Sequence, residues 1–198
     1  MFLNETKNNI LEQAGTLFYS QGFNHTGMEK ITIVCGIKKP TLYYYFPSKN
    51  ALGIAYLESR ASALFSMLNA LLGRANSLDQ YLSSWASALI LMARRNEFFG
   101  CPFTSFASEL NSEERTYFEK TLKNIEEDWL NIQVQAYQKF YSKSTVAKQF
   151  AEKILVTHTG CVMLYRASRD LNYLKQLKSG FADIAKAVKL ASKNNSNG

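Results

Sequence analysis

The chain has 198 residues, of which 46% are hydrophobic and 20% charged, proportions of an ordinary globular protein that exclude disorder as its main character. With only 3 prolines and 10 glycines a turn-rich all-β fold is disfavoured, and no apolar run reaches the length of about eighteen residues needed to span a membrane. Lys and Arg number 23 against 16 Asp and Glu, a net charge of +7 that permits a polyanionic partner without requiring one.

The first residues, Met1-Phe2-Leu3-Asn4-Glu5, lack the charged region, apolar run and cleavage site of a secretory signal, so a cytoplasmic protein is expected. Cys35, Cys101 and Cys161 lie far apart with no paired spacing, a pattern of reduced thiols rather than of disulfides or zinc. His25 and His158 are the only imidazoles. Neither a metal site nor a cofactor is expected.

In chain order, Ile10, Leu11, Ala14, Leu17 and Phe18 recur at helical spacing, and Gly22 offers a stop. Thr26, with Glu29 three residues on, reads as a capping box opening a short helix from Met28 to Val34. Cys35-Gly36-Ile37 then turns the chain. The aromatic run from Pro40 to Tyr45 could be a strand, but Pro40 in a first turn and the four-residue spacing of Leu42 and Phe46 favour a short helix. Pro47-Ser48 breaks that element and caps the next.

Longer helices follow, from Ser48 to about Arg74 and from Leu78 to about Arg95, with a loop from Asn96 to Cys101. Pro102 stands where a first turn tolerates it, and no proline occurs beyond it. Phe118, Leu122, Ile125, Trp129, Ile132 and Ala136 form an apolar stripe on the next helix. A break at Ser142-Lys143-Ser144 leads to a helix ending near Ala167. The last helix carries Leu174, Leu177, Phe181, Ile184 and Val188 ahead of a polar tail from Lys193 to Gly198.

The first three helices, with a glycine turn between the second and third, have the layout of a helix-turn-helix unit that docks on DNA. Gly36 permits the turn. Ile31, Ile37, Leu42 and Phe46 would bury together, leaving Tyr43 and Tyr44 outward with hydroxyls able to reach phosphates or base edges. From Lys30 to Leu57 there is no acidic residue, while Lys30, Lys38, Lys39 and Lys49 supply positive charge. Lys38 and Lys39 stand at a helix N-terminus, where the macrodipole disfavours cations, and approaching phosphates would compensate them. A solvated lysine pair explains the charges alone equally well. The turn, the tyrosines and the acid-free run together favour DNA.

Residues Lys7 to Leu57, and above all Ile37-Lys38-Lys39-Pro40-Thr41-Leu42-Tyr43-Tyr44-Tyr45-Phe46-Pro47-Ser48-Lys49, resemble the DNA-binding domain of the TetR family of bacterial repressors. Leu17-Phe18, Gly22-Phe23, Thr26, Ile31 and Gly36 fit the same pattern. The resemblance implies an all-α fold, with a three-helix helix-turn-helix DNA-binding domain at residues 1–47 and a long-helix ligand-binding and dimerisation domain at residues 48–198. It implies a homodimeric, non-enzymatic repressor that binds a palindromic operator and is released by a small-molecule inducer. Pro40, Thr41, Tyr43, Tyr44 and Tyr45 match the recognition face, Lys49 a phosphate-contacting lysine, and Thr26 the cap at the other edge of the contact surface. Thr32 and Cys35 depart from the pattern's alanines, Lys38 from its serine cap, Pro40 from the commoner glycine and Asn50 from its glutamate.

The stripe on the last helix could face a partner, with Gly180, Ala182, Ala185 and Ala187 allowing close approach, or the protomer's own core. The resemblance implies a dimer through the last two helices. Among the aromatic and soft residues of the second block, Trp85, Phe106 and Trp129 are candidates for an apolar ligand pocket, with His158 as hydrogen-bond partner; each is also a candidate for plain core. Cys101 follows Gly100 at a helix N-terminus, which lowers a thiol pKa. A thiol-based redox- or electrophile-sensing repressor is therefore an alternative if that residue is exposed, and a small buried hydrophobe is the simpler reading. Two rivals from other classes remain. One is an all-α enzyme with Cys101 as nucleophile and His158 as base. The other is a basic protein held on a membrane surface.

Overall fold

A computed structural model describes residues 2–141 and 146–194, so the expected break at Ser142–Ser144 and the end of the polar tail lie outside the described residues. Helices α1 (Phe2–Gln21), α2 (Met28–Cys35), α3 (Lys39–Tyr45), α4 (Lys49–Arg74), α5 (Leu78–Arg94), α6 (Pro102–Glu109), α7 (Ser112–Phe140), α8 (Val146–Ser168) and α9 (Asn172–Asn194) succeed one another, and no strand occurs among the described residues. The aromatic run that could have been a strand is helix α3. No helix among the described residues is long and apolar enough to cross a membrane.

Local chemistry sets the helix ends. Helix α1 buries Ile10, Ala14, Leu17 and Phe18 and stops at Gly22, which takes φ 98° while its N–H donates to Phe18 O. The capping box expected at Thr26 and Glu29 is absent. Gly27 is the N-cap of α2 and supplies no side chain, while the Thr26 hydroxyl turns back to donate to Gly22 O at 2.8 Å. Helix α2 closes in a Schellman motif. Gly36 is left-handed at φ 64°, its N–H donating to Ile33 O and the next N–H, of Ile37, to Thr32 O. Ser48 caps α4 by accepting from Ala51 N at 3.0 Å, and Ser77 caps α5 by accepting from Gln80 N. Asn111 and Glu114 exchange backbone N–H bonds at the start of α7, a capping box.

The chain packs as two compact units. The first comprises residues 1–62 and 102–125, the second residues 63–101 and 126–198. In the first, Phe23 is the hub of an aromatic core, with ring centroids 5.1 Å from Phe18, 4.5 Å from Phe106 and 5.6 Å from Phe118. Helix α6 and the start of α7 thus belong to the same packed body as the three N-terminal helices. In the second unit α9 packs on both α5 and α8. Lys139 on α7 fastens the end of α4, donating to the carbonyls of Leu72, Gly73 and Ala75.

Candidate nucleic-acid interface and ligand cage

The α2–turn–α3 segment is fixed from below by apolar burial. Ile31 and Leu42 are wholly buried and Phe46 nearly so, which holds α3 against α2 and turns its remaining side chains outward. Tyr44 is 75% and Tyr43 40% exposed, while Tyr45 and Thr41 are half-buried. The Tyr44 and Tyr45 rings meet edge to face at 5.0 Å, which stiffens both at modest entropic cost. Lys38 is the N-cap of α3 without a side-chain cap bond, and Pro40 occupies its first turn. Lys38, Lys39 and Pro40 are all exposed. One short helix therefore presents two ammonium groups at its positive end and a pair of tyrosine hydroxyls along its flank.

Two of the residues expected on the DNA-facing surface are placed differently. Thr26 is completely buried and its hydroxyl is committed to Gly22, so its side chain holds the α1–α2 turn and does not offer an oxygen to a partner. Lys49 is half-buried, its ammonium 4.4 Å above the Phe23 ring. Burial lowers its pKa, opposed by the carboxylates of Glu114 and Glu109. Glu109 also accepts from Asn24 N at 2.9 Å, and Asn24 Nδ2 donates to Glu109 O, so the end of α6 clasps the loop that precedes α2. The sequence reading missed this clasp, because residues 85 apart in the chain carry no pattern that joins them. It also missed Ile33 and Val34, apolar yet exposed on α2.

The expected pocket residues separate into two places. Trp85 on α5, Trp129 on α7 and His158 on α8 converge in the second unit. The imidazole stacks on Trp85 at 5.0 Å and 20° and meets Trp129 edge-on at 4.9 Å, while Phe181 of α9 lies 5.1 Å from Trp85. Phe106 is not part of this group; it sits in the aromatic core of the first unit with Phe23 and Phe118. Cys101 is buried between Gly100, whose φ of 114° brings it against Arg166, and Pro102. That burial matches the small-hydrophobe reading and removes the exposure on which the sensor alternative depended.

The cage also holds Gln133, wholly buried, whose carboxamide exchanges hydrogen bonds of 3.2 and 3.3 Å with the Tyr81 hydroxyl. Its signal was available: a glutamine four residues after Trp129, beside an otherwise apolar stripe. Trp85 Nε1 and His158 Nδ1 are buried without a hydrogen-bond partner. Burial drives the His158 pKa down to about 3 and pushes that of Tyr81 far up, so both are neutral near pH 7.

The last-helix stripe faces inward. Leu174, Leu177 and Phe181 are wholly buried and Ile184 nearly so within the protomer, so the core reading holds for these residues. The outward apolar residues of the second unit include Val156, Met163 and Leu164 on α8 and Leu190 on α9, besides Leu91 on α5 and Val146 at the start of α8. Val156 is 72% exposed, and a Cβ added at Gly160, one turn on, would meet nothing within 4 Å.

Residues 10–56 match the family model described as "Bacterial regulatory proteins, tetR family". Over 126 residues the chain is 25% identical to the HTH-type transcriptional repressor NemR of Escherichia coli, a match covering 61% of this chain and 63% of that relative. It thus spans under two thirds of the relative's length. It is 24% identical over 192 residues to an uncharacterized HTH-type transcriptional regulator of Lactococcus lactis, covering 92% of this chain and 96% of that protein. Among solved structures, a TetR-family transcriptional regulator from Streptomyces coelicolor superposes with a TM-score of 0.81 at 17% identity, over 93% of this chain and 90% of the other. The reduced form of E. coli NemR superposes with a TM-score of 0.74 at 20% identity, over 90% and 96%. Likeness at these identities fixes the fold.

Proposed function

Because its N-terminal helices place this chain in the TetR family of bacterial regulatory proteins, we propose that it is a homodimeric transcriptional repressor that binds a palindromic operator and is released by a small molecule. The observation that carries the reading is the surface of α3: Lys38, Lys39, Pro40, Tyr43 and Tyr44 exposed on one short helix, inside a stretch from Lys30 to Leu57 that holds no acidic residue. Lys38 and Lys39 meet backbone phosphates, fixing register, and Thr41, Tyr43 and Tyr44 reach base edges in the major groove. Tyr45 buttresses Tyr44, and Lys49 and Thr26 hold the surface from behind. Residues 1–47 carry the DNA contacts, and residues 48–198 bind the ligand and the second protomer.

A single head contacts too few base pairs for operator selectivity, so two are joined. The face of α8 bearing Val156, Gly160, Met163 and Leu164, with Leu190 of α9, is the apolar surface suited to that role. Helices α4 and α7 each run from one compact unit into the other, giving a covalent route by which a ligand among the α5–α9 side chains biases the spacing of two heads.

Selection of bound duplexes from a random DNA library tests the reading. The expected product is a palindromic consensus, with binding weakened about tenfold or more in Tyr43→Ala. Recovery of unrelated sequences, bound equally by wild type and Tyr43→Ala, refutes it.

A further inference from the structure

In the Trp85–Trp129–His158 cage, the indole N–H of Trp85 and Nδ1 of His158, on different helices, are buried without a hydrogen-bond partner. Each such atom destabilises the folded chain relative to a satisfied one, and both belong to rings stacked on one another at 5.0 Å. The rest of the cage is flat and apolar: the Trp129 ring edge-on to the imidazole at 4.9 Å and Phe181 at 5.1 Å from Trp85. Trp129 also brings a buried indole N–H, and the polar groups of Tyr81 and Gln133 are bonded to each other.

We propose that this cage is a binding site for small uncharged aromatic alcohols, the phenol class, whose single hydroxyl accepts from Trp85 Nε1–H and pairs with His158 Nδ1. The assignment deepens, and rests on, the reading of the chain as a ligand-responsive regulator. Three properties select the class. An indole N–H only donates, so the ligand must bring an acceptor. A histidine nitrogen accepts or donates according to its tautomer, and a hydroxyl answers either state. The site is dry enough that burial depresses the His158 pKa, and the same desolvation opposes a carboxylate or ammonium ligand. The aromatic walls favour a flat ring through stacking and edge-to-face contact.

Calorimetric titration of the full-length protein with phenol and 1-naphthol, each beside benzene or naphthalene and with benzoate as the charged control, tests this. Phenol or 1-naphthol is expected to saturate at one molecule per chain, about tenfold or more tighter than the matching hydrocarbon, with benzoate not binding. Trp85→Phe, which keeps a ring and removes the N–H, is expected to bring the alcohol to the hydrocarbon's affinity and leave the hydrocarbon unchanged. His158→Phe deletes the other partner and serves should Trp85→Phe fail to fold, as judged by circular dichroism. Equal affinity for alcohol and hydrocarbon, tighter binding of benzoate, or no saturable binding of either alcohol overturns the proposal. Operator binding is measured on the same preparation. Retained operator binding without alcohol binding removes this inference alone, whereas alcohol binding without any sequence-selective DNA binding removes the regulator reading and leaves the cage.

Discussion

Gly22 and Gly36 both occupy left-handed backbone, at φ 98° and 64°, but their surroundings differ. A Cβ at Gly36 meets nothing within 4 Å, whereas one at Gly22 falls 2.8 Å from both carboxylate oxygens of Glu109. Gly36→Ala therefore carries only the backbone penalty of about 1–2 kcal/mol. Gly22→Ala adds the displacement of Glu109 and the loss of its bond from Asn24 N. Urea denaturation is expected to rank Gly22→Ala as the more destabilised, and the opposite order contradicts the clasp. His158 gives a pH signature. Its pKa falls from an ordinary 6.5 to about 3 on folding, so between those values the unfolded chain binds more protons. Stability is then full above about pH 6.5 and declines as pH falls toward 3, with a limiting slope of about 1.4 kcal/mol per pH unit from this group. His158→Phe is expected to flatten the stability profile between about pH 6.5 and 4, and an unchanged profile would show that the imidazole is solvated. At this scale the sequence was legible where a residue's role is local. Gly36 between two apolar runs could only be a turn. Thr26 and Glu29 satisfied the spacing of a capping box, yet the threonine hydroxyl found a carbonyl four residues back and Gly27 took the cap position. Two local bonds competed for one side chain, and spacing does not rank them.

Among the elements, α3 was readable because burial of Leu42 and Phe46 and exposure of Tyr43 and Tyr44 follow from a helical period over seven residues. Helix α9 was harder to place. The alternation of Leu174, Leu177, Phe181 and Ile184 describes a helix with one apolar face and does not say what covers it; here the protomer does, through contacts such as Phe181 on Trp85. Val156, Met163 and Leu164 face outward on α8, in a segment apolar on most sides where periodicity gives little contrast. The two faces make separable predictions. Leu177→Ala removes a buried side chain and is expected to lower stability by about 2–5 kcal/mol. Met163→Glu, on a residue 50% exposed, is expected to leave the thermal midpoint of the isolated protomer nearly unchanged and to shift the chain from dimer to monomer in sedimentation equilibrium. A Met163→Glu chain that stays dimeric places the interface elsewhere.

For the whole molecule, packing cuts across chain order: α6 and the first part of α7 join the N-terminal helices in one unit while α5, α8 and α9 build the other. An expected change of role near residue 47 follows the sequence motifs and is silent about this interleaving, since the pairing of Phe23 with Phe106 and Phe118 is long-range. Trp129 lies on α7, whose first part belongs to the unit that carries α3. Coupling between two equilibria is reciprocal. A ligand that weakens operator binding by some factor must itself bind the operator complex more weakly by that factor, typically about 5–150-fold.

The most direct test of the central claim, that α3 is a sequence-reading surface on a cationic base, is fluorescence anisotropy of a selected palindromic duplex and a scrambled duplex at several salt concentrations. Tight binding of the palindrome by two chains is expected, with a steep linear fall of log affinity with log salt. In Lys38→Ala/Lys39→Ala the slope shrinks by about 0.9 for each phosphate no longer neutralised, while preference for the palindrome persists. Equal affinity for both duplexes, or a slope unmoved by removal of the two ammonium groups, would contradict it.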